Sequence, residues 1–208
     1  MRLVLISDTH SRHKHLKIPD GDVLIHAGDF TGIGDEKDFI QFNSWLGTLP
    51  HKYKLITAGN HDKLAETNRN LAKSLISNGT LLLDESFEID GVNFYFSPYT
   101  PLFRNWSFML PRSSMKYVWE KIPENTDVLV THGPPHGILD VVYNRFNVNA
   151  GCEALRDRVL EIKPKIHIFG HIHEGRGEFK NKHTHYINAS SLNKNYDVSQ
   201  EHSMQICI

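Results

Sequence analysis

Five short stretches carry the side chains best suited to holding a metal: Asp8-Thr9-His10, Gly28-Asp29, Gly59-Asn60-His61-Asp62, Thr131-His132-Gly133 and Gly170-His171-Ile172-His173. Their donors are imidazole and oxygen with no thiolate, a set that fits Mn, Fe, Zn, Co or Ni and disfavours a Cys-type structural zinc site. Two such cations about 3.5 to 4 Å apart clamp the attacking and leaving oxygens of a phosphoryl displacement and need one carboxylate to bridge them. Asp29, alone after its strand, suits the bridge. Asp8 and His10 stand two apart, as do His171 and His173, so a loop can turn each pair toward one ion. Asn60 and His132 would complete the second. Taken singly, an Asp or Gly at a strand end serves turns for conformational reasons; in this order the five together favour metal chemistry.

Each cluster follows an apolar run that reads as a buried strand: 2–7, 23–27, 54–58, 127–131 and 165–169. Residues 36–46, 70–76, 115–121 and 153–162 carry apolar side chains at helical spacing. Alternating strands and helices predict an α/β core with a mixed, largely parallel sheet, whose carboxyl edge is where side chains from several strands converge. Strands at 86–89 and 92–97 flank Asp90-Gly91, a strong hairpin signal, with a further apolar run at 81–83. Residues 185–189 and 204–208 read as antiparallel closing strands of a second sheet packed on the first. No linker or repeat interrupts 1–208, which predicts one domain: two sheets with flanking helices.

The chain has 208 residues, 39% hydrophobic, with Lys+Arg 23 against Asp+Glu 24. A chain of this size needs no disulfide or structural metal to hold its core. A net charge of −1 argues against a broad electrostatic grip on nucleic acid or anionic lipid. The run 1–6 is too short for a signal or membrane segment. With two cysteines and no scaffold pattern, the expected compartment is the cytoplasm. The 14 histidines are in excess of ordinary use and invite metal or acid–base roles. Not all of them: His26 reads as a hydrogen-bonded core residue, and His13, His15, His51, His183, His185 and His202 as surface. Cys152, at a helix start, reads as a buried inert thiol, and Cys207 as core. The aromatic, proline-bounded segment 99–110 is a candidate wall on which a nucleobase stacks, with Tyr99, Phe103, Arg104 and Trp106 facing substrate. His136, after a candidate ligand, and the segment 144–149 are candidate rims, Arg145 within that segment reading as solvated.

The ordered set D-x-H, G-D, G-N-H-D, H-G and G-H-x-H resembles the calcineurin-like metallophosphoesterases. The stretches ISDTHSRH, HAGDFTGIG, THGPPHGILD, FGHIHEGRG and YINAS are similar to its subgroup of brain metallophosphoesterase-domain proteins. The resemblance implies a four-layer α-β-β-α sandwich, two mixed sheets between helices. It implies Asp8, His10, Asp29 and His173 on a first metal, Asp29, Asn60, His132 and His171 on a second, and His61 as the acid that protonates the leaving group. The nucleophile it implies is a hydroxide held by both ions. Substrates of the subgroup include cyclic nucleotides and other phosphodiesters. Protein phosphatases of the superfamily carry an Asp-Arg pair where this chain has Gly32-Ile33. Without that Arg the phosphomonoester dianion lacks its clamp, which favours a diester. Without that Asp, the partner of His61 is open, with Asp62 its neighbour in sequence. The expected activity is thus a metal-dependent phosphodiesterase acting on a small phosphodiester or nucleotide. The alternatives are a phosphomonoesterase or a catalytically weak scaffold of the same fold.

Overall fold

The computed structural model describes residues 1–143, 146–199 and 202–208. β1 (Arg2–Ile6), β2 (Val23–Ala27), β3 (Tyr53–Thr57) and β4 (Thr80–Leu81) lie parallel in one sheet. β5 (Glu85–Ile89) and β6 (Val92–Ser97) begin the second sheet as an antiparallel pair. Their turn has Asp90 and Gly91 at φ 50° and 80°, the doubly positive geometry a two-residue hairpin favours. A short ribbon of β7 (Thr100–Pro101) and β8 (Met109–Leu110) follows, then β9 (Val128–Thr131), parallel to β6. A second ribbon, β10 (Val141–Val142) with β11 (Val148–Asn149), precedes β12 (Ile166–Phe169), parallel to β9. β13 (Gly177–Lys180) and β14 (His185–Asn188) complete this sheet, while β15 (Met204–Cys207) returns to the first, antiparallel to β1.

The period of two along each strand sorts the core into layers. Leu3, Leu5, Val23, Ile25, Phe94, Phe96, Val128 and Ile168 meet between the sheets. Val4, Ile6, Leu24 and Ile56 point the other way, against α1 (Glu36–Leu46), with α2 (Lys63–Thr67) and α3 (Arg69–Leu75) alongside. Tyr95, Leu129 and Phe169 leave the second sheet toward α4 (Arg112–Trp119) and α5 (Glu153–Ile162). Because both faces of the central strands are buried, these strands are apolar throughout. α1 is fixed by Asp35, whose side chain accepts from the Asp38 N–H at 2.8 Å, and by the buried stripe Phe39, Phe42, Trp45 and Leu46. Each such side chain stabilises the layer by roughly 1.5–3 kcal/mol. The arrangement is the expected four-layer sandwich. Among the described residues no helix is long and apolar enough to cross a membrane.

Three expectations need correction. β14 is parallel to β12, not an antiparallel closing strand, and β15, though antiparallel, closes the first sheet on β1 and not the second. The chain reverses in β13, a polar edge strand (GEFK) without the apolar run that announces a strand. His13 and His51 are buried at 1% and 3% exposure, His13 packing its ring 5.4 Å from Phe42 and 5.0 Å from Trp45. Cys207 is exposed, because the register of β15 turns Met204 and Ile206 inward and Gln205 and Cys207 outward. Cys152 is buried as expected; Trp119 Nε1 donates to its Sγ at 3.2 Å, and burial pushes the thiol up.

His26 is enclosed, with Nε2 3.0 Å from Thr9 Oγ1, and His167 is enclosed with Nε2 2.9 Å from Thr131 Oγ1. Burial holds both rings near pKa 3, against an ordinary 6.5. Between those values the unfolded chain takes protons that the folded one refuses, so stability is present above pH 6.5 and lost as the pH falls below it. The expected slope is ~1.4 kcal/mol per pH unit for each ring. Urea unfolding of metal-free protein from pH 7 to 4.5 measures it; a level profile would show that the rings are not held neutral.

Candidate metal centre

The site lies where the carboxyl edges of the two sheets meet. Ser7, after β1, bridges Ser190, after β14, and the Gly170 N–H donates to His132 O at 2.9 Å. Neighbouring strand ends are tied as well: the N–H groups of Asp8 and His10 donate to Gly28 O and Asp29 O at 2.9 and 3.0 Å. Asp8, His10, Asp29 and His171 all have positive φ, between 39° and 68°. Such backbone costs on the order of 1–3 kcal/mol per residue and persists only where surrounding contacts impose it. Here it turns successive side chains inward at the tight ends of the strands. Gly59 and Gly170 precede two of the clusters because a Cβ at either would enter the centre, overlapping Asp29 and His132 or Asp8 and Ser7.

The candidate ligands converge in two groups, with a third trio, His10, Asp29 and His61, overlapping both. Asp8, His10 and His173 bring donor atoms within 4.8 Å of one another, and so do Asp29, His132 and His171. Each group takes ligand-type atoms from both sheets. Asp29 Oδ2 lies between them, 3.8 Å from His10 Nε2 and 3.4 Å from His132 Nε2. Asn60 Oδ1 joins the second group at 3.0 Å from His132 Nε2. All seven candidate metal ligands therefore meet at one seam.

The surrounding contacts orient the donors. His132 Nδ1 donates to Ala27 O and His173 Nδ1 to Asn193 O, each at 3.0 Å, leaving both Nε2 atoms directed inward. Asp8 accepts from the His171 N–H at 3.0 and 2.9 Å and from Ser190 Oγ at 2.8 Å. Burial opposes the charged forms of Asp8 and Asp29. Both nevertheless stay well below the usual carboxylate range, because His173 faces Asp8 and His132 faces Asp29. Against the same burial, these carboxylates hold His132 and His173 near 9. Burial prevails at His10, near 4, and at His171, near 3. Enclosed carboxylates facing imidazoles, with His10 Nδ1 buried and unpartnered, are a donor set matched to divalent or trivalent cations, which would replace the protons on His132 and His173.

His61 stands at the mouth, its ring 4.5 Å from that of His10 and 4.1 Å from that of Trp106. Its Nδ1 lies 2.8 Å from Gly32 O. A carbonyl only accepts, so Nδ1 carries a proton and Nε2 is left for the cavity. The missing Asp of the superfamily pair is thus replaced by a backbone carbonyl two residues before Gly34. Asp62 acts elsewhere, accepting from the N–H groups of Gly59, Asp29 and Thr31 at 2.8, 2.9 and 2.9 Å and from Thr31 Oγ1 at 2.7 Å. It pins the turn bearing Asp29 to the turn bearing Asn60 and His61.

A cavity of about 260 Å³ opens over the centre, lined in part by Phe103, Arg104, Trp106 and Tyr196. Tyr99 and His136 do not line it. Tyr99 is drawn away by the β7 ribbon, its ring 5.6 Å from Phe108 over a separate depression beside Glu66 and Arg69. His136 is turned toward the start of α5, where its N–H donates to Cys152 O at 3.1 Å. Asn144 and Arg145, in the candidate rim, lie outside the described residues. Tyr196 is a site residue the sequence did not single out. Its ring lies 4.9 Å from His10 and 5.1 Å from His173, at φ 64°. Only the turn-forming polar residues 193–197 around it mark the segment, and those signal a bend without signalling a site.

The model of the calcineurin-like phosphoesterase family matches residues 1–175. The chain is 40% identical to human metallophosphoesterase domain-containing protein 1 over 94% of its own length and 67% of the relative's, with the same figures for the mouse protein. A solved phosphopantetheinyl hydrolase from Mycobacterium tuberculosis shares the fold at TM-score 0.63 and 14% identity, covering 98% of this chain and 95% of that one. With the family motif spread over both sheets and its side chains gathered at their common edge, the chain belongs to the calcineurin-like phosphoesterases, a family of metal-dependent hydrolases.

Proposed function

We propose that the protein is a phosphodiesterase acting on small phosphodiesters, nucleotide diesters among them, with Asp8, His10, Asp29 and His173 holding one ion and Asp29, Asn60, His132 and His171 the other. The observation that carries the diester preference is the Gly32-Ile33 loop. Gly32 gives its carbonyl to His61, and Ile33 is 74% exposed, so no guanidinium reaches the phosphate from the loop where the protein phosphatases place one. Among the described residues lining the cavity, Arg104 is the one guanidinium, a match for a monoanion rather than a dianion. Bound ions of the Mn, Fe, Zn, Co or Ni type would supply Lewis acidity and lower the pKa of water toward neutrality. The protein's own residues do the rest. Asp29 holds the two groups in register, His61 presents a proton at Nε2 to the departing oxygen, and Phe103 and Trp106 flank the phosphate and exclude water. The free thiols Cys152 and Cys207 support a reducing, cytoplasmic setting.

Turnover of the Mn-loaded protein on bis(4-nitrophenyl) phosphate, 4-nitrophenyl phosphate and cyclic nucleotides tests this. The expected kcat/KM for the diester exceeds that for the monoester by at least about tenfold, equivalent to ~1.4 kcal/mol of transition-state discrimination. A faster monoester, or no diester turnover, would overturn the proposal.

A further inference from the structure

Three openings run together along the sheet edge. The central cavity over the metal ligands shares Phe103, His171, His173 and Tyr196 with a groove of about 480 Å³. It shares Asn60, His61 and Trp106 with a recess of about 420 Å³. Groove and recess have no lining residue in common, so they leave the centre in different directions. Their chemistry also differs. The groove is walled mainly by Leu102, Phe103, Val142, Val148 and Ile172, of which Leu102 and Val148 are 51% and 48% exposed, with Arg112, Glu174 and Lys194 also on its lining. Apolar side chains left in water around the mouth of a site are where an apolar part of a ligand gains most. The recess, though Ile33 and Trp106 also border it, presents mostly Lys63, Glu66, Thr67, Asn105 and Ser107, donors and acceptors suited to hydroxyl groups.

From this asymmetry we infer that the site takes an open-chain phosphodiester with unlike arms, seating the apolar arm in the groove beyond His171 and His173 and releasing a polar alcohol into the recess beside His61. The inference rests on the phosphodiesterase reading and adds which of the two ester bonds breaks. General acid catalysis requires the acid beside the departing oxygen. His61 borders the recess and not the groove, so the recess-side oxygen departs. Water adds to phosphorus, and the bond from phosphorus to the recess-side oxygen breaks with its electron pair on that oxygen. The departing oxygen takes the proton of His61, which a proton shed by the attacking water restores. Diester and water thus become a polar alcohol and a phosphomonoester that keeps the apolar arm.

The test uses 2-phenylethyl glyceryl phosphate, whose two primary alcohols differ little as leaving groups. The Mn-loaded full chain is expected to give glycerol and 2-phenylethyl phosphate over the opposite pair by at least about tenfold, the discrimination an apolar pocket supplies. Equal products, or an excess of phenylethanol and glycerol phosphate, overturn the inference. Calorimetry on the two product monoesters reads the groove without turnover. 2-Phenylethyl phosphate is expected to bind about tenfold more tightly than glycerol phosphate, and Leu102→Asp or, independently, Val148→Asp to erase the difference. Equal affinities in the parent protein overturn the groove assignment even where diesters are hydrolysed. A preference for the phenylethyl ester without turnover of any diester supports the groove and sinks the phosphodiesterase reading instead.

Discussion

Asp29→Asn is expected to empty both metal positions and to lower turnover by more than ~10³-fold, beyond the ~10²–10³ that removal of one preorganised electrostatic group costs. The side chain touches every part of the centre. Its Oδ2 lies 3.4 Å from His132 Nε2 and 3.8 Å from His10 Nε2, while Oδ1 accepts from the His61 N–H at 2.7 Å. Asparagine keeps the shape and one acceptor but puts an amide N–H₂ where a shared negative charge stood, facing two imidazoles. In the metal-free protein the same change removes the main influence that holds His132 near 9, so its proton is released at a lower pH, visible in the imidazole NMR titration. Asn60→Ala is the comparison: Asn60 Oδ1 joins the second group, 3.0 Å from His132 Nε2, and its loss is expected to weaken one ion while leaving the other. Metal analysis of both variants separates a shared ligand from an unshared one. Asp29→Asn protein that retains two ions and its turnover would end the assignment of Asp29 as the common carboxylate.

What was legible in the sequence is whatever had to be written locally. Asp8, Asp29, Asn60, His132 and His171 follow apolar runs that read as buried strands; only the fold shows that Gly59 and Gly170 stand where a side chain would fill the centre. Periodicity likewise gave α1 and α5 to the residue, because each has one apolar stripe. The less legible features arise from the surroundings. β14 is parallel to β12 because of β13, whose exposed residues carry no burial signal. His13 and His51 are enclosed by neighbours remote from them in sequence, so their types alone read as surface. Tyr196 reaches His10 and His173 through a polar turn whose composition says only that the chain bends. The partner of His61 was invisible for a further reason: a backbone carbonyl has no residue type. Gly32 was recognisable as a departure from the superfamily pattern, yet only the fold shows that the departure supplies the missing acceptor.

That substitution of carbonyl for carboxylate governs the second large effect. His61→Ala is expected to keep both ions, since the seven candidate ligands are untouched, and to slow hydrolysis of alkyl diesters by ~10²–10⁴-fold, the range general acid catalysis supplies. On bis(4-nitrophenyl) phosphate the loss should be less than about tenfold, because a nitrophenolate departs without being protonated. The Gly32 carbonyl, 2.8 Å from Nδ1, fixes the ring and its tautomer and leaves Nε2 toward the departing oxygen. Rates on the two ester classes, with metal content measured on the same samples, decide the matter. Equal losses on both classes would make His61 a group that orients substrate or ions.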